Sequence, residues 1–208
     1  MMVEKINRLC IDICRVVYLN ILWLIFTTLG GILFGIFPAT VALFSVFHQL
    51  LKSEDSLKYH KVFFDSYKNN FLIANLSGFI FIIAGFILYF YYHFSAMLVV
   101  STSVIIFDAI VNISILIYIM TLTFFFPVFV HYELKGTKIF LQPFLVMLFS
   151  PMQVLITITI IFLVGLLYFT LPGLSLFFGI SLPASVIMQI MYKRFLKLSS
   201  QINDNSVQ

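Results

Sequence analysis

VVYLNILWLIFTTLGGILFGIFPATVALFSVFHQLL, residues 16–51, runs from Arg15 to Lys52 without one Asp, Glu, Lys or Arg. At about 1.5 Å per residue, a single helix of this length would far overshoot a hydrocarbon core of about 30 Å. The stretch therefore reads as two helices. Gly30, Gly31 and Gly35 lie near its middle, where glycine supplies the backbone freedom of a tight turn. Pro38 suits the first turn of the returning helix, where its missing N–H costs nothing. The expectation is one helix over about 16–31 and a second over about 36–51. The first is short for a full crossing, so a hairpin that dips partway into the bilayer is the other reading of the same residues.

The cations around this hairpin set the threading. All 12 Lys and Arg residues fall in four groups. These are Lys5, Arg8 and Arg15; Lys52, Lys58, Lys61 and Lys68; Lys135 and Lys138; and Lys193, Arg194 and Lys197. Each interval between groups holds enough apolar sequence for two crossings, so all four groups belong on one face, which the positive-inside rule makes the cytoplasm. Counting 16–51 as a single span would give five crossings and send alternate groups to opposite sides. The expected fold is all-α: a polytopic membrane helical bundle of about six transmembrane helices, with N- and C-termini cytoplasmic.

Four further helices are expected at about 71–91, 97–130, 147–169 and 174–192. Amphipathic cytoplasmic segments are expected at about 2–15, 56–70 and 135–144, followed by a polar disordered tail over 199–208. Residues 1–198 then form a single membrane domain. Tyr89, Tyr91, Tyr92 and His93 suit the outer interface, and Tyr18, Tyr59, Tyr67, Tyr132 and Tyr192 the inner one.

Composition agrees. With 62% hydrophobic residues, 10% charged residues and a mean hydropathy of +1.11, the chain cannot cover a soluble globular surface. Its net charge of +4 sits beside apolar helices, where anionic lipid headgroups attract it, so the lipid bilayer and not nucleic acid is the expected partner. Cys10 and Cys14, near the inner face, are expected as free thiols. The first apolar segment continues without a signal-peptidase site and is expected to stay as a signal anchor.

Few residues carry chemistry. Gly35 and Thr40 allow two readings: close helix packing, or a polar path lined by exposed carbonyls and a hydroxyl. A similar stretch, Gly179 to Ser185, hints at an internal repeat. Asp108 is the one acid inside a long apolar run, with Asn112 four residues on along the same helical face. Acids inside membranes are functional suspects, yet counting back from His131 puts Asp108 near the outer headgroups, where solvation or a hydrogen bond to Asn112 accounts for it. Asn20, Asn75, Gln153 and Gln189 read as hydrogen-bond partners between helices. His48, His60, His93 and His131 share no metal-ligand spacing and no nucleophile–base pattern, so neither a metal, a cofactor nor an enzyme is expected. Lys135-Gly136-Thr137 lacks the strand and phosphate loop of an ATP site. Lys61-Val62-Phe63-Phe64 and Lys138-Ile139-Phe140-Leu141 form two similar basic–aromatic elements. They read either as lipid-boundary anchors or as a docking surface with Phe63, Phe64 and Tyr67 as apolar contacts.

Several of these stretches resemble one family. Asn20-Ile21-Leu22-Trp23-Leu24, Gly35-Ile36-Phe37-Pro38-Ala39-Thr40-Val41-Ala42-Leu43, Phe63-Phe64, Tyr67-Lys68-Asn69-Asn70-Phe71, Phe126-Pro127 and His131-Tyr132-Glu133 are similar to the YesL-like bacterial integral membrane proteins. The resemblance covers roughly Asn20 to Lys197. It implies a membrane protein without an assigned biochemical activity, commonly encoded beside carbohydrate importers of the ATP-binding-cassette (ABC) type. The expected function is a non-enzymatic accessory or regulatory component that contacts ABC-importer membrane or ATPase subunits. The alternative is a small solute transporter or channel using Gly35, Thr40, Asp108 and Asn112 as a polar path.

Overall fold

The computed structural model describes residues 2–52, 58–97, 101–132 and 138–206. Among them the only regular elements are eight helices: α1 (Met2–Leu29), α2 (Ile36–Lys52), α3 (Tyr59–Met97), α4 (Thr102–Tyr132), α5 (Lys138–Leu148), α6 (Pro151–Thr170), α7 (Pro172–Phe178) and α8 (Ser181–Ser206). Glu133, Lys135, Gly136 and Thr137 lie outside the described residues. So do Ser56 and Leu57 at the start of the expected 56–70 segment and residues 98–100 of the expected 97–130 helix.

The turn in the middle of the apolar run forms where the glycines stand. Gly31 takes φ +69° and ends α1 in a two-bond cap: the Gly31 amide donates to the Thr28 carbonyl at 3.0 Å and the Ile32 amide to the Thr27 carbonyl at 2.9 Å. Ile32 is also left-handed, at φ +61°. The chain then reverses into α2, and Gly35 settles against the Thr27 backbone so closely that an added Cβ would collide with the Thr27 carbonyl. One hydrogen bond ties the arms together, from Trp23 Nε1 to Thr40 Oγ1 at 3.0 Å.

α2 is the hub. It packs against α1, α3, α4 and α8, and it buries Ala39, Val41, Ala42, Leu43 and Val46 completely. Lipid tails are as apolar as these side chains, so their burial gains little hydrophobic energy; close packing holds the helix in place, and small residues permit it. Larger side chains fill the remaining space, with Phe44 stacked on Phe126 at 5.7 Å and Phe125 set edge-on to Phe81 at 5.1 Å. α6 is the opposite case, burying only Thr157 and leaving its apolar surface outward.

By length and composition, four segments can cross a bilayer: Cys10–Leu29, Tyr59–Ser95, Thr102–Tyr132 and Pro151–Thr170. The pair Pro172–Phe178 and Ser181–Lys197, bent by 62°, makes a fifth. The chain is a helical membrane protein. The sixth expected crossing rests on α2, which at 17 residues is about 26 Å long by the 1.5 Å rise, a little short of the core thickness.

Several expected boundaries move. Segment 2–15 and residues 59–70 of the second segment are continuous with the membrane helices that follow them, because no Gly or Pro interrupts 2–29 or 59–77. The expected helix over 147–169 starts later: Pro151 opens α6, and Ser150 before it is held out of helical geometry at φ −134°, ψ 55°. The expected helix over 174–192 is split at Gly179 and Ile180, and α8 continues to Ser206 where a disordered tail from 199 was expected, no Gly or Pro standing there to end it. Gly179 to Ser185 does parallel Gly35 to Thr40, since each stretch opens a helix of the core with proline in its first turn.

Gly35→Ala should lower the thermal midpoint in detergent, at a cost of about 1–3 kcal/mol, because the colliding atom is backbone and cannot swing aside. Gly165→Ala, where nothing lies within 4 Å, should leave stability unchanged or raise it by up to about 1 kcal/mol.

Candidate functional site

Two polar stripes face each other across the bundle. Val41, Ser45, His48, Gln49 and Lys52 follow each other at steps of four, three, one and three along α2, and so share one side of the helix. Val62, Asp65, Ser66, Asn69, Asn70 and Ile73 do the same on α3. With Phe129, Val130 and His131 from α4 they line a partly open cavity of about 530 Å³. It lies at the end of the bundle that carries Lys52, Lys61 and Lys68.

The lining is joined by a directed chain of hydrogen bonds. Ser45 donates its hydroxyl hydrogen to the Val41 carbonyl at 2.9 Å. The 2.7 Å contact between the Ser45 and Ser66 hydroxyls therefore has Ser66 as donor. Asn70 completes the chain, its Nδ2 donating to the Ser66 carbonyl at 3.0 Å and to the Ser66 hydroxyl at 3.3 Å. Beside this chain, His48 Nε2 and His131 Nδ1 lie 3.1 Å apart, so one ring donates and the other accepts. α8 backs the pair: Phe195 stacks on His131 at 4.1 Å, and Tyr192 meets His48 edge-on at 5.8 Å. His48 is buried and His131 half-buried.

The residues singled out from sequence fall elsewhere. Gly35 packs on Thr27, and the Thr40 hydroxyl is occupied on both sides, accepting from Trp23 and donating to the Ile36 carbonyl at 2.7 Å. Asp108 accepts a hydrogen bond from Ser95 at 2.9 Å, while Asn112 donates to the Asp108 backbone carbonyl and not to its carboxylate. Asp108 stands 23 residues before His131 on α4, about 35 Å along the helix, so it lies far from the cavity. Of the three docking contacts, Phe63 is fully buried, and the Tyr67 hydroxyl donates to the Phe26 carbonyl at 3.2 Å; both rings pack on Phe26 of α1. Only Phe64 keeps about half its surface exposed, at 49%. The burial has a simple cause: α3 carries its helix through this segment and turns Phe63 and Tyr67, four apart, toward α1.

Asn20 does join helices, its Nδ2 donating to the Leu176 carbonyl at 2.9 Å and its Oδ1 accepting from Ser181 at 3.3 Å. Cys10 and Cys14 are free thiols. Among the described residues no group of three or more metal-ligating side chains occurs. The cavity escaped the sequence reading because each stripe looks like an ordinary polar helix edge. The usable signal was the matched three- and four-residue spacing of polar residues at 45–52 and 65–70, on two helices that had to lie side by side.

His48→Ala and His131→Ala should be non-additive in a double-mutant cycle of unfolding in detergent, with a coupling of about 1 kcal/mol. Additive losses would mean that the imidazole contact contributes nothing.

Known proteins align with this architecture along its length. The family described as "Protein of unknown function, DUF624" matches residues 16–92, the hairpin and most of α3. Three Bacillus subtilis (strain 168) proteins are similar over nearly the whole chain. The uncharacterized protein YesV is 35% identical over 199 residues, covering 92% of this chain and 92% of YesV. YteU, also described as uncharacterized, is 33% identical over 201 residues, covering 93% of this chain and 86% of its own length. The uncharacterized protein YesL is 27% identical over 198 residues, covering 94% and 92%. No solved structure matches significantly. A helical hairpin built on Gly31 and Gly35, a bundle arranged around α2 and this shared length of sequence lead to one conclusion: the chain belongs to the YesL-like family of membrane proteins.

Proposed function

We propose that this protein is a multi-pass protein of the bacterial cell membrane that works by binding and association, with no reaction of its own, as an accessory or regulatory component of a carbohydrate importer of the ABC type. The observation that carries the reading is the cavity between α2, α3 and α4. Its groups are placed to hold a small polar molecule. They are not placed to attack one: the Ser45 hydroxyl is bonded to a main-chain carbonyl, Ser66 donates to Ser45, and each imidazole near them faces the other. The cavity lies toward the lysine-rich end, which this reading assigns to the cytoplasm, where an importer's ATPase subunits would sit.

A second reading, a small solute transporter or channel, draws on the same cavity, since it lies among helices that can cross the bilayer. The two separate experimentally. As an accessory component, the protein purified in mild detergent should bring down an importer subunit in stoichiometric amount, and its deletion should lower uptake of the sugar concerned; a clean purification with uptake unchanged refutes this. As a transporter, the purified protein in liposomes should move a solute unaided.

Orientation has its own test. In a variant with Cys10 and Cys14 replaced by serine, single cysteines at Lys61 and Lys138 should react with an impermeant reagent from one side of sealed vesicles, and a cysteine at Tyr92 from the other. Labelling of Lys61→Cys and Lys138→Cys from opposite sides would overturn the proposed threading.

A further inference from the structure

Resting on the reading that the chain works by binding, we propose that the cavity between α2, α3 and α4 is a site for a small, uncharged, polyhydroxylated molecule of the sugar or polyol class. Its volume, about 530 Å³, falls within the roughly 300–1,000 Å³ of ordinary small-molecule sites, and it suits a mono- or disaccharide better than a single ion. Charge narrows the class. The lining holds one cation, Lys52, and one acid, Asp65, so the residues that touch a ligand carry no net charge to pair with an ion.

Hydrogen-bond direction narrows it further. Beyond the bonds they make to one another, Asn70 keeps its Oδ1 acceptor, and His48 and His131 each keep a second ring nitrogen that donates or accepts according to tautomer. A ligand hydroxyl is likewise donor and acceptor together, whereas a phosphate or carboxylate only accepts and an ammonium only donates. Asp65 and Asn69 hold no hydrogen bond to any described residue, which leaves them available to a ligand. The remaining wall is apolar. Val62, Ile73 and Phe129 present hydrocarbon to the C–H face that every pyranose carries beside its hydroxyls.

Isothermal titration of the intact protein in lipid nanodiscs, with glucose, maltose, raffinose, glycine betaine and inorganic phosphate as probes, tests the site. At least one neutral sugar should bind, and Asn69→Leu and Asn70→Leu should each weaken it by about tenfold or more, the loss expected for one or two hydrogen bonds. Asn69 has no hydrogen-bond partner among the described residues, so Asn69→Leu keeps the test sound even where Asn70→Leu fails to fold. Gly165→Ala, far from the cavity on α6, should bind as the parent does. Preference for betaine or phosphate overturns the ligand class, and binding of none of the five, or sugar binding indifferent to both Asn variants, overturns the site. If that happens while an importer subunit still co-purifies, the accessory reading stands without the cavity. If sugar binds but no importer subunit co-purifies and deletion leaves uptake unchanged, the accessory reading falls and the site remains.

Discussion

The contact between Gly35 and the Thr27 carbonyl is the constraint from which the rest of the bundle follows. Inside a bilayer the hydrophobic effect brings apolar helices in from water but gives them little reason to prefer one another to lipid. Close approach of backbones supplies that reason, and it needs a residue without a Cβ where the two arms meet. Once α1 and α2 are closed on each other, and Trp23 is bonded to Thr40, α2 is held where α3, α4 and α8 can surround it. A side chain at position 35 would push away the helix against which α1, α3, α4 and α8 all pack.

The polar groups within this oil fall into two kinds. Most answer to their own helix: the hydroxyls of Thr28, Ser77, Ser114, Thr123 and Thr159 bond carbonyls one turn back, which removes an unsatisfied donor without any partner helix. Others bind neighbours at places where regular structure fails. Asn20 supplies a donor to the Leu176 carbonyl beside the break between α7 and α8, the Tyr168 hydroxyl donates to the Gly179 carbonyl at 2.8 Å, and Arg194 reaches the Phe149 carbonyl at the end of α5 at 2.9 Å. The cavity differs from both kinds, because there hydroxyls, amides and imidazoles from three helices converge without filling the space between them.

Asp108 stands out by residue type, and its bonding in the structure is local. An acid in an apolar run draws attention, yet this one takes a hydrogen bond from Ser95 of α3. His48 and His131 show the reverse. Separated by 83 residues and lacking any motif, they meet at hydrogen-bond distance because α2 and α4 pack side by side. Phe63 and Tyr67 looked like a surface because lysines surround them, and helix phase turned both toward Phe26.

The class of the protein was written in the chain itself: apolar runs long enough to cross a bilayer, glycines where they must fold back, and cations confined to the ends. These are local or additive properties, and transfer free energy depends on them with no need to know which helix touches which. Helix joints were only partly legible, since whether α3 runs unbroken from Tyr59 and whether the last span bends by 62° depends on what packs against each joint. The site was decided by tertiary structure alone. Its stripes on α2 and α3 become a cavity only when the two helices lie in one particular rotation, set by side-chain packing between them, and single-chain periodicity carries no record of that angle.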